Sequence, residues 1–305
     1  MTDDGTSPGD GLPLPPDNHV HTQFSYDADN GSMIDSCRRA VELGLPSIAF
    51  TEHIDMTPWF FPAAAVEGFP DRWKSRFDPP PGPELEAAGS AHFRAPDLDI
   101  DGYFASVEEC RDRFPSLRIL TGLEIGEPHW FPERTAEILN AGQFERVLGS
   151  LHSLTVDGQP RLIDELFRSE EFTPRAEASA VTEYLAEAAT MIQADDRFQV
   201  FAHIDYLVRQ IERLGRRHDP RPFEEQYRET LRALASSERV LEINTRLTLD
   251  PLVVAWWYDV GGQGVSFGSD AHSGKAVGNG FATAAAMAES NGFRPQADPH
   301  DFWRR

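Results

Sequence analysis

Cysteine is nearly missing from this 305-residue chain, which contains only Cys37 and Cys110. Two thiols cannot make a disulfide framework, so a reducing compartment is expected, and with it a cytoplasmic location. Positive charge is also scarce: 50 acidic residues face 28 basic ones, for a formal net charge of −22. A surface of that sign repels nucleic acid and anionic lipid, so neither is an expected partner. No apolar run reaches the roughly 18 residues that a membrane span needs. The opening segment, MTDDGTSPGDGLPLPPD, lacks the basic start and apolar stretch of a secretory signal. Residues 1–15 therefore read as a flexible tail.

What is present points to one large α/β domain over residues 16–305, with 40% of the chain hydrophobic. Short β-rich runs end in His, Asp or Glu, and a helix-compatible segment follows each. The strand candidates are 17–22, 47–53, 118–126, 146–153, 198–205, 240–245 and 265–272. Amphipathic stretches lie at 33–43, 99–113, 132–141, 179–194, 223–236, 250–259 and 281–290. In the first of these, Ile34, Cys37 and Val41 share a helical face, which makes Cys37 a packing thiol. The alternation argues for parallel strands with helices outside. Seven strands with polar residues at their C-terminal ends suggest a barrel related to the eight-stranded βα kind, in which the chemistry sits at that face. An open doubly wound sheet would spread those ends along a line and keep them apart. Segments 55–98 and 154–178 are rich in Pro and Gly and read as long loops over the site.

His19 and His21 form HVH at the first strand end, where alternate side chains share a face. His53, Glu124, His152, His203, Asp270 and His272 take equivalent positions on five other strands. Solvated or core histidines have no reason to choose those places repeatedly. His92, His129, His218 and His300 fall elsewhere and read as structural. Imidazoles mixed with carboxylates suit Zn, Fe or Mn and not Ca. The set is too large for one ion, and Glu124 is a carboxylate able to bridge two. Asp17 reads either as a partner of a ligand imidazole or as a loop residue.

These motifs resemble the PHP (polymerase and histidinol phosphatase) superfamily, and within it the stand-alone histidinol-phosphate phosphatases. The resemblance is carried by DNHVHT with TQFSYDA, TEH, GLE with GSLHS, AHIDYL, EINT and GSDAHS. It implies a trinuclear site in a distorted barrel of seven βα units, so two to three divalent ions are expected. Carried over by residue, His19, His21, Glu124 and Asp270 hold the first ion. Glu124, His152 and His203 hold the second, and Asp27, His53 and His272 the third. Two features depart from the pattern: EINT runs into RLTLD instead of a Gly-rich continuation, and the 55–98 segment is longer and more aromatic.

The expected activity is hydrolysis of a small phosphate monoester, histidinol phosphate first, by hydroxide shared between two ions. That would place the chain in histidine biosynthesis. His272 or Asp205 would protonate the leaving group. Arg161 and Arg209, each following a ligand block, would meet the phosphate. Asp205 and Glu242 would either pair with a substrate cation or support ligand histidines. Alternatives are a nucleotide, sugar or other metabolite phosphate as substrate, a metal-dependent amidohydrolase, and a polymerase-associated module. The amidohydrolases commonly bridge two metals with a modified lysine, whereas Lys74 and Lys275 are the only lysines and neither ends a strand.

Overall fold

The computed structural model describes residues 13–62, 66–67, 74, 77–78, 90–156, 158–166 and 174–305. The expected tail falls almost wholly on residues 1–12, outside the described residues. Leu14, by contrast, already packs against the core.

The chain runs β1 (Asp17–Val20), α1 (Met33–Leu43), β2 (Ser47–Asp55), then three short strands, β3 (Trp59–Pro62), β4 (Phe77–Asp78) and β5 (Ser90–Phe93). It continues with α2 (Ile100–Arg113), β6 (Arg118–Gly126), α3 (Pro132–Asn140) and β7 (Arg146–Ser150). A hairpin of β8 (Ser153–Val156) and β9 (Gln159–Leu162) leads to α4 (Ile163–Leu166) and α5 (Pro174–Ala194). The last third holds β10 (Val200–Phe201), α6 (Tyr206–Arg213), α7 (Glu224–Ala235), β11 (Val240–Asn244), α8 (Pro251–Asp259), β12 (Gly264–Gly268), α9 (Phe281–Ser290) and β13 (Trp303–Arg304).

Seven strands pair in parallel in the order β1-β2-β6-β7-β10-β11-β12, and β13 joins β12 antiparallel. Runs such as SIAF and RILTGLEI are buried throughout, as parallel strands covered on both faces require. The first and seventh strands close on each other: His21 N donates to Ala271 O and Asp270 N to His19 O, both at 2.8 Å. Asp17 secures this seam. Its carboxylate accepts from Ser269 N at 2.9 Å and Gly278 N at 3.0 Å. Asp17 therefore supports the backbone of the closing strand and not a ligand imidazole.

Helices surround the barrel. In α1, Ser32 caps the first turn by accepting from Asp35 N, Gly44 ends the helix at φ 70°, and Met33, Cys37 and Ala40 face inward. Inside the barrel, away from the ligand-bearing ends, Leu148, Val200, Ala202, Val240 and Phe302 form a small cluster of their own. Phe302 comes from the segment leading into β13, and the Arg146 guanidinium lies 4.1 Å from its ring centre.

Three expectations on organisation need correction. The 55–98 segment is not wholly irregular: β3, β5 and β4 form an antiparallel sheet. Trp59, Phe61 and Phe93 give it a core, with Trp59 and Phe93 stacked at 5.8 Å. Within 154–178 lie the β8–β9 hairpin and α4, and α5 starts at Pro174, a residue well suited to the first helical turn. The fifth strand, expected over 198–205, is only two residues long, and α6 follows it where no helix is expected from the sequence.

Candidate metal centre

Period-2 geometry turns alternate residues of each strand end toward the axis. His19 and His21 leave β1 with their Nε2 atoms 3.0 Å apart. In the β2–β6 pairing His53 stands opposite Glu124. Glu124 is 1% exposed and lies at the centre of the cluster. Its Oε2 faces His19 Nε2 at 3.2 Å and His21 Nε2 at 3.3 Å. Its Oε1 faces His203 Nε2 at 2.6 Å and His152 Nε2 at 3.2 Å. Asp270 Oδ1 completes the first group, 3.6 Å from His21 Nε2. A third group forms around Asp27 Oδ2, with His272 Nε2 at 3.0 Å and His53 Nε2 at 3.5 Å.

These spacings fit metal coordination. Ligands on a tetrahedral zinc at bond lengths of 2.0–2.1 Å stand about 3.3 Å apart. The structure brings together all nine residues expected as ligands, including the loop residue Asp27, and could hold ions in several overlapping triads. Two of them, His203 at φ 22° and Asp270 at φ 52°, adopt backbone angles that side chains disfavour, as functional positions often do.

Most of the imidazoles are oriented from behind. His19 Nδ1 donates to Glu242 Oε1 at 2.7 Å and His152 Nδ1 to Asp55 Oδ1 at 2.7 Å. His21 Nδ1 lies 3.1 Å from Ser25 Oγ, and His272 Nδ1 donates to Asp270 O at 3.0 Å. A proton fixed on Nδ1 leaves Nε2 with a lone pair turned inward. The first strand and the last run close together here. A Cβ on Gly268 would meet Glu242 Oε1 at 2.1 Å and His19 Cβ at 2.6 Å, so this pair needs glycine beside it.

The electrostatics are those of a cluster short of positive charge. Burial pushes the Glu124 carboxyl up, but His19, His152, His53 and His203 outweigh it and hold the group well below the usual range. Burial likewise opposes ionisation of Asp270, which Arg246, His19 and Arg209 restore. Burial lowers His19, yet Glu242, Glu124 and Asp270 draw it well above the ordinary imidazole value. His21 goes the other way, lowered by burial and by its neighbours His53 and His272. Carboxylates that stay ionised and imidazoles drawn toward protonation are a fit for divalent cations.

A cleft of about 210 Å³ opens over the cluster. Its floor is metal-ligand residues, and its outer wall is Tyr26, Trp59, Leu162, Asp164, Glu165 and Tyr206. Three arginines line it. Arg209 Nη1 donates to Asp270 Oδ2 at 2.6 Å, Arg246 Nη1 to Asp270 Oδ1 at 3.2 Å, and Arg213 Nη1 to Asp164 Oδ1 at 2.8 Å. A larger groove of about 690 Å³ is bordered by Asp55, Met56, Arg94 and Phe131, and only Asp55 links it to the cluster.

Four expected roles are not matched by position. Arg161 alternates with Leu162 on β9, turns from the cleft and bonds Phe60 O at 3.3 Å. Glu242 is 1% exposed and committed to His19, His203 N and Asn244, so of its two expected roles its position fits support of a ligand histidine and not contact with a substrate cation. Asp205 stands outside the cleft, beside Arg209. His272 is in the cleft, but its two ring nitrogens face Asp27 and the Asp270 carbonyl, which leaves it no nitrogen to carry a proton to a leaving group.

Sequence reasoning missed Asp55, Glu52, Glu127 and Arg246. Asp55 follows His53 by two residues on β2, a signal that was legible. Glu52 accepts from Thr22 and Ser25 and so shapes the turn that carries Asp27. Glu127 accepts from the backbone of His152 and Ser153 at 2.6 and 2.8 Å. Arg246 sits in the RLTLD run that departs from the family pattern.

Comparison with known proteins agrees with this geometry. The family model described as PHP domain matches residues 17–246. A protein of Lactococcus lactis subsp. lactis named "Histidinol-phosphatase" is 25% identical over 289 residues, covering 92% of this chain and 93% of its own. A Clostridium acetobutylicum protein named "Probable histidinol-phosphatase" is 27% identical, covering 92% and 94%. In fold, the chain is similar to the crystal structure of the Lactococcus lactis histidinol phosphate phosphatase complexed with zinc, L-histidinol and phosphate. The TM-score is 0.69 at 23% identity, covering 92% of this chain and 95% of that one.

Proposed function

The chain belongs to the PHP domain family, and from that premise we propose that it is a metal-dependent phosphomonoesterase acting on histidinol phosphate. The observation that carries the reading is Glu124, whose two oxygens face two separate sets of imidazoles at coordination spacing. His19, His21, Glu124 and Asp270 would hold one ion, Glu124, His152 and His203 a second, and Asp27, His53 and His272 a third. Zinc suits these donors best, with iron and manganese as chemical alternatives. Bound ions supply Lewis acidity, which offsets phosphoryl charge and lowers the pKa of water toward 7.

The chain's own residues do the rest. Arg246 is 41% exposed and hangs over Asp270 and His272, free to turn its guanidinium onto a phosphoryl oxygen. Arg209 backs Asp270 from inside. Asp55, Glu242 and Ser25 keep the imidazoles oriented, so that little rearrangement accompanies substrate entry. The aromatic side chains of Tyr26, Trp59 and Tyr206 give the outer wall a surface for a flat ring. Asp164 and Glu165 add negative charge there, suited to the ammonium or imidazolium of an amino-alcohol phosphate. The cleft is smaller than the 300–1,000 Å³ usual for drug-sized ligands, which favours a small metabolite over a nucleotide. Among the described residues no lysine lines it, which weighs against a lysine-bridged amidohydrolase site. Two buried free thiols suit a reducing, cytoplasmic setting.

The test is elemental analysis of protein purified without chelators, joined to phosphate release from histidinol phosphate, sugar phosphates, nucleotides and p-nitrophenyl phosphate. Two to three ions per chain and a preference for histidinol phosphate are expected. Less than one ion per chain would defeat the metal assignment. Hydrolysis of the generic ester without histidinol phosphate would defeat the substrate.

A further inference from the structure

Behind Asp270 lies a row of three charged side chains, Asp205, Arg209 and Asp270, none more than 5% exposed. Arg209 Nη1 donates to Asp270 Oδ2 at 2.6 Å, and its Nη2 stands 3.7 Å from Asp205 Oδ1. Asp205 stands at the N-cap position of α6 without a side-chain capping bond, and Arg209 follows one turn later, so helical spacing brings the two together. Neither oxygen of Asp205 has a hydrogen-bond partner among the described residues. The same holds for Nε and Nη2 of Arg209. A carboxylate buried in that way is costly unless a charge offsets it, and Arg209 is the cation that does so. On its other side Arg209 claims Oδ2 of Asp270. That leaves Oδ1, which also accepts from the half-exposed Arg246 Nη1 at 3.2 Å, turned toward His21 Nε2, where the first ion would sit.

We propose that Asp205 is a positioning residue: it holds Arg209 and shares its charge, so that Asp270 keeps Oδ1 and most of its negative charge for the metal. The inference rests on the metal assignment made above. Without Asp205, Arg209 has Asp270 as its only carboxylate ion-pair partner among the described residues. The guanidinium then competes more strongly with the ion for the same group.

The experiment is competition of zinc-loaded full-length protein against a chromophoric chelator, read as zinc retained per chain. Asp205→Asn should weaken retention at one position by about 10–100-fold, as loss of support behind a ligand generally does. In an Arg209→Met background the same change should have little further effect, because there is no guanidinium left to restrain. Unchanged retention in Asp205→Asn overturns the proposal. So does an equal loss in both backgrounds, which would mean that Asp205 acts without Arg209. If Asp205→Asn alone fails to fold, folding of the double variant supports the coupling, and failure of both overturns it. Wild-type protein that takes up no zinc would defeat the metal assignment itself, a result distinct from all of these.

Discussion

Replacing Glu242 by glutamine changes one atom and removes one charge, yet three contacts depend on it. Its Oε1 accepts from His19 Nδ1 at 2.7 Å, and its Oε2 accepts from His203 N at 2.8 Å and Asn244 Nδ2 at 3.0 Å. A glutamine has one oxygen to offer. If that oxygen faces His19, the amide N–H points at the His203 N–H and the Asn244 amide, and donors oppose donors. If it faces His203, the amide donates to His19 Nδ1. The imidazole must then carry its proton on Nε2, the atom turned to Glu124 and His21, and that atom ceases to be a ligand. Either arrangement harms the metal positions. Losing a carboxylate behind a ligand imidazole commonly costs 10–100-fold in metal affinity or activity, about 1.4–2.8 kcal/mol. The assay is kcat and KM for histidinol phosphate and for p-nitrophenyl phosphate, with zinc content measured on the same preparations. Both esters should lose kcat/KM together, and zinc should fall. A rise in KM confined to the cationic ester, with zinc unchanged, would refute this reasoning and return Glu242 to the substrate.

Glu165→Gln should do the opposite: raise KM for histidinol phosphate roughly tenfold, the loss of one charge-assisted contact, while sparing p-nitrophenyl phosphate. Steady-state kinetics on the two esters checks it. Gly268→Ala should separate His19 from Glu242 and lower zinc content, measured by elemental analysis of folded protein. Phe302→Ala should destabilise the barrel by about 3–5 kcal/mol in denaturant unfolding, because it empties the inner cluster, with zinc stoichiometry intact in the folded fraction. Cys37→Ser should leave turnover within about twofold, since the thiol is buried beside Cys110 of α2 and away from the metal cluster.

The candidate ligands were legible because each sits at the end of a short apolar run, where a period of two fixes the face. The seven-strand count followed from the same pattern. The carboxylates behind the histidines were less legible. Glu52 and Glu127 act through backbone and hydroxyl groups that only the folded loops bring near, and no spacing announces that. Asp205 ends the stretch 198–205 expected as a strand, which put it near the site. The φ of 22° at His203 breaks the strand there, and the start of α6 turns Asp205 toward Arg209 instead. The aromatic sheet of β3 to β5 was hidden by the Pro and Gly around it, although Trp59 and Phe61 alternate as a strand should.

The seam between the first and last parallel strands also sets an order of events during synthesis. Asp17 and Ser269 are 252 residues apart in sequence, yet they bond directly. His19 and His21 belong to the first of the seven parallel strands, whereas Asp270 and His272 emerge after all seven. A nascent chain would therefore carry an incomplete coordination shell through most of its translation, along two open sheet edges. Closing the ring and completing the first ligand set depend on the same late residues. Capture of the first ion would thus wait on barrel closure, and a chain that failed to seal would lack a complete first ligand set.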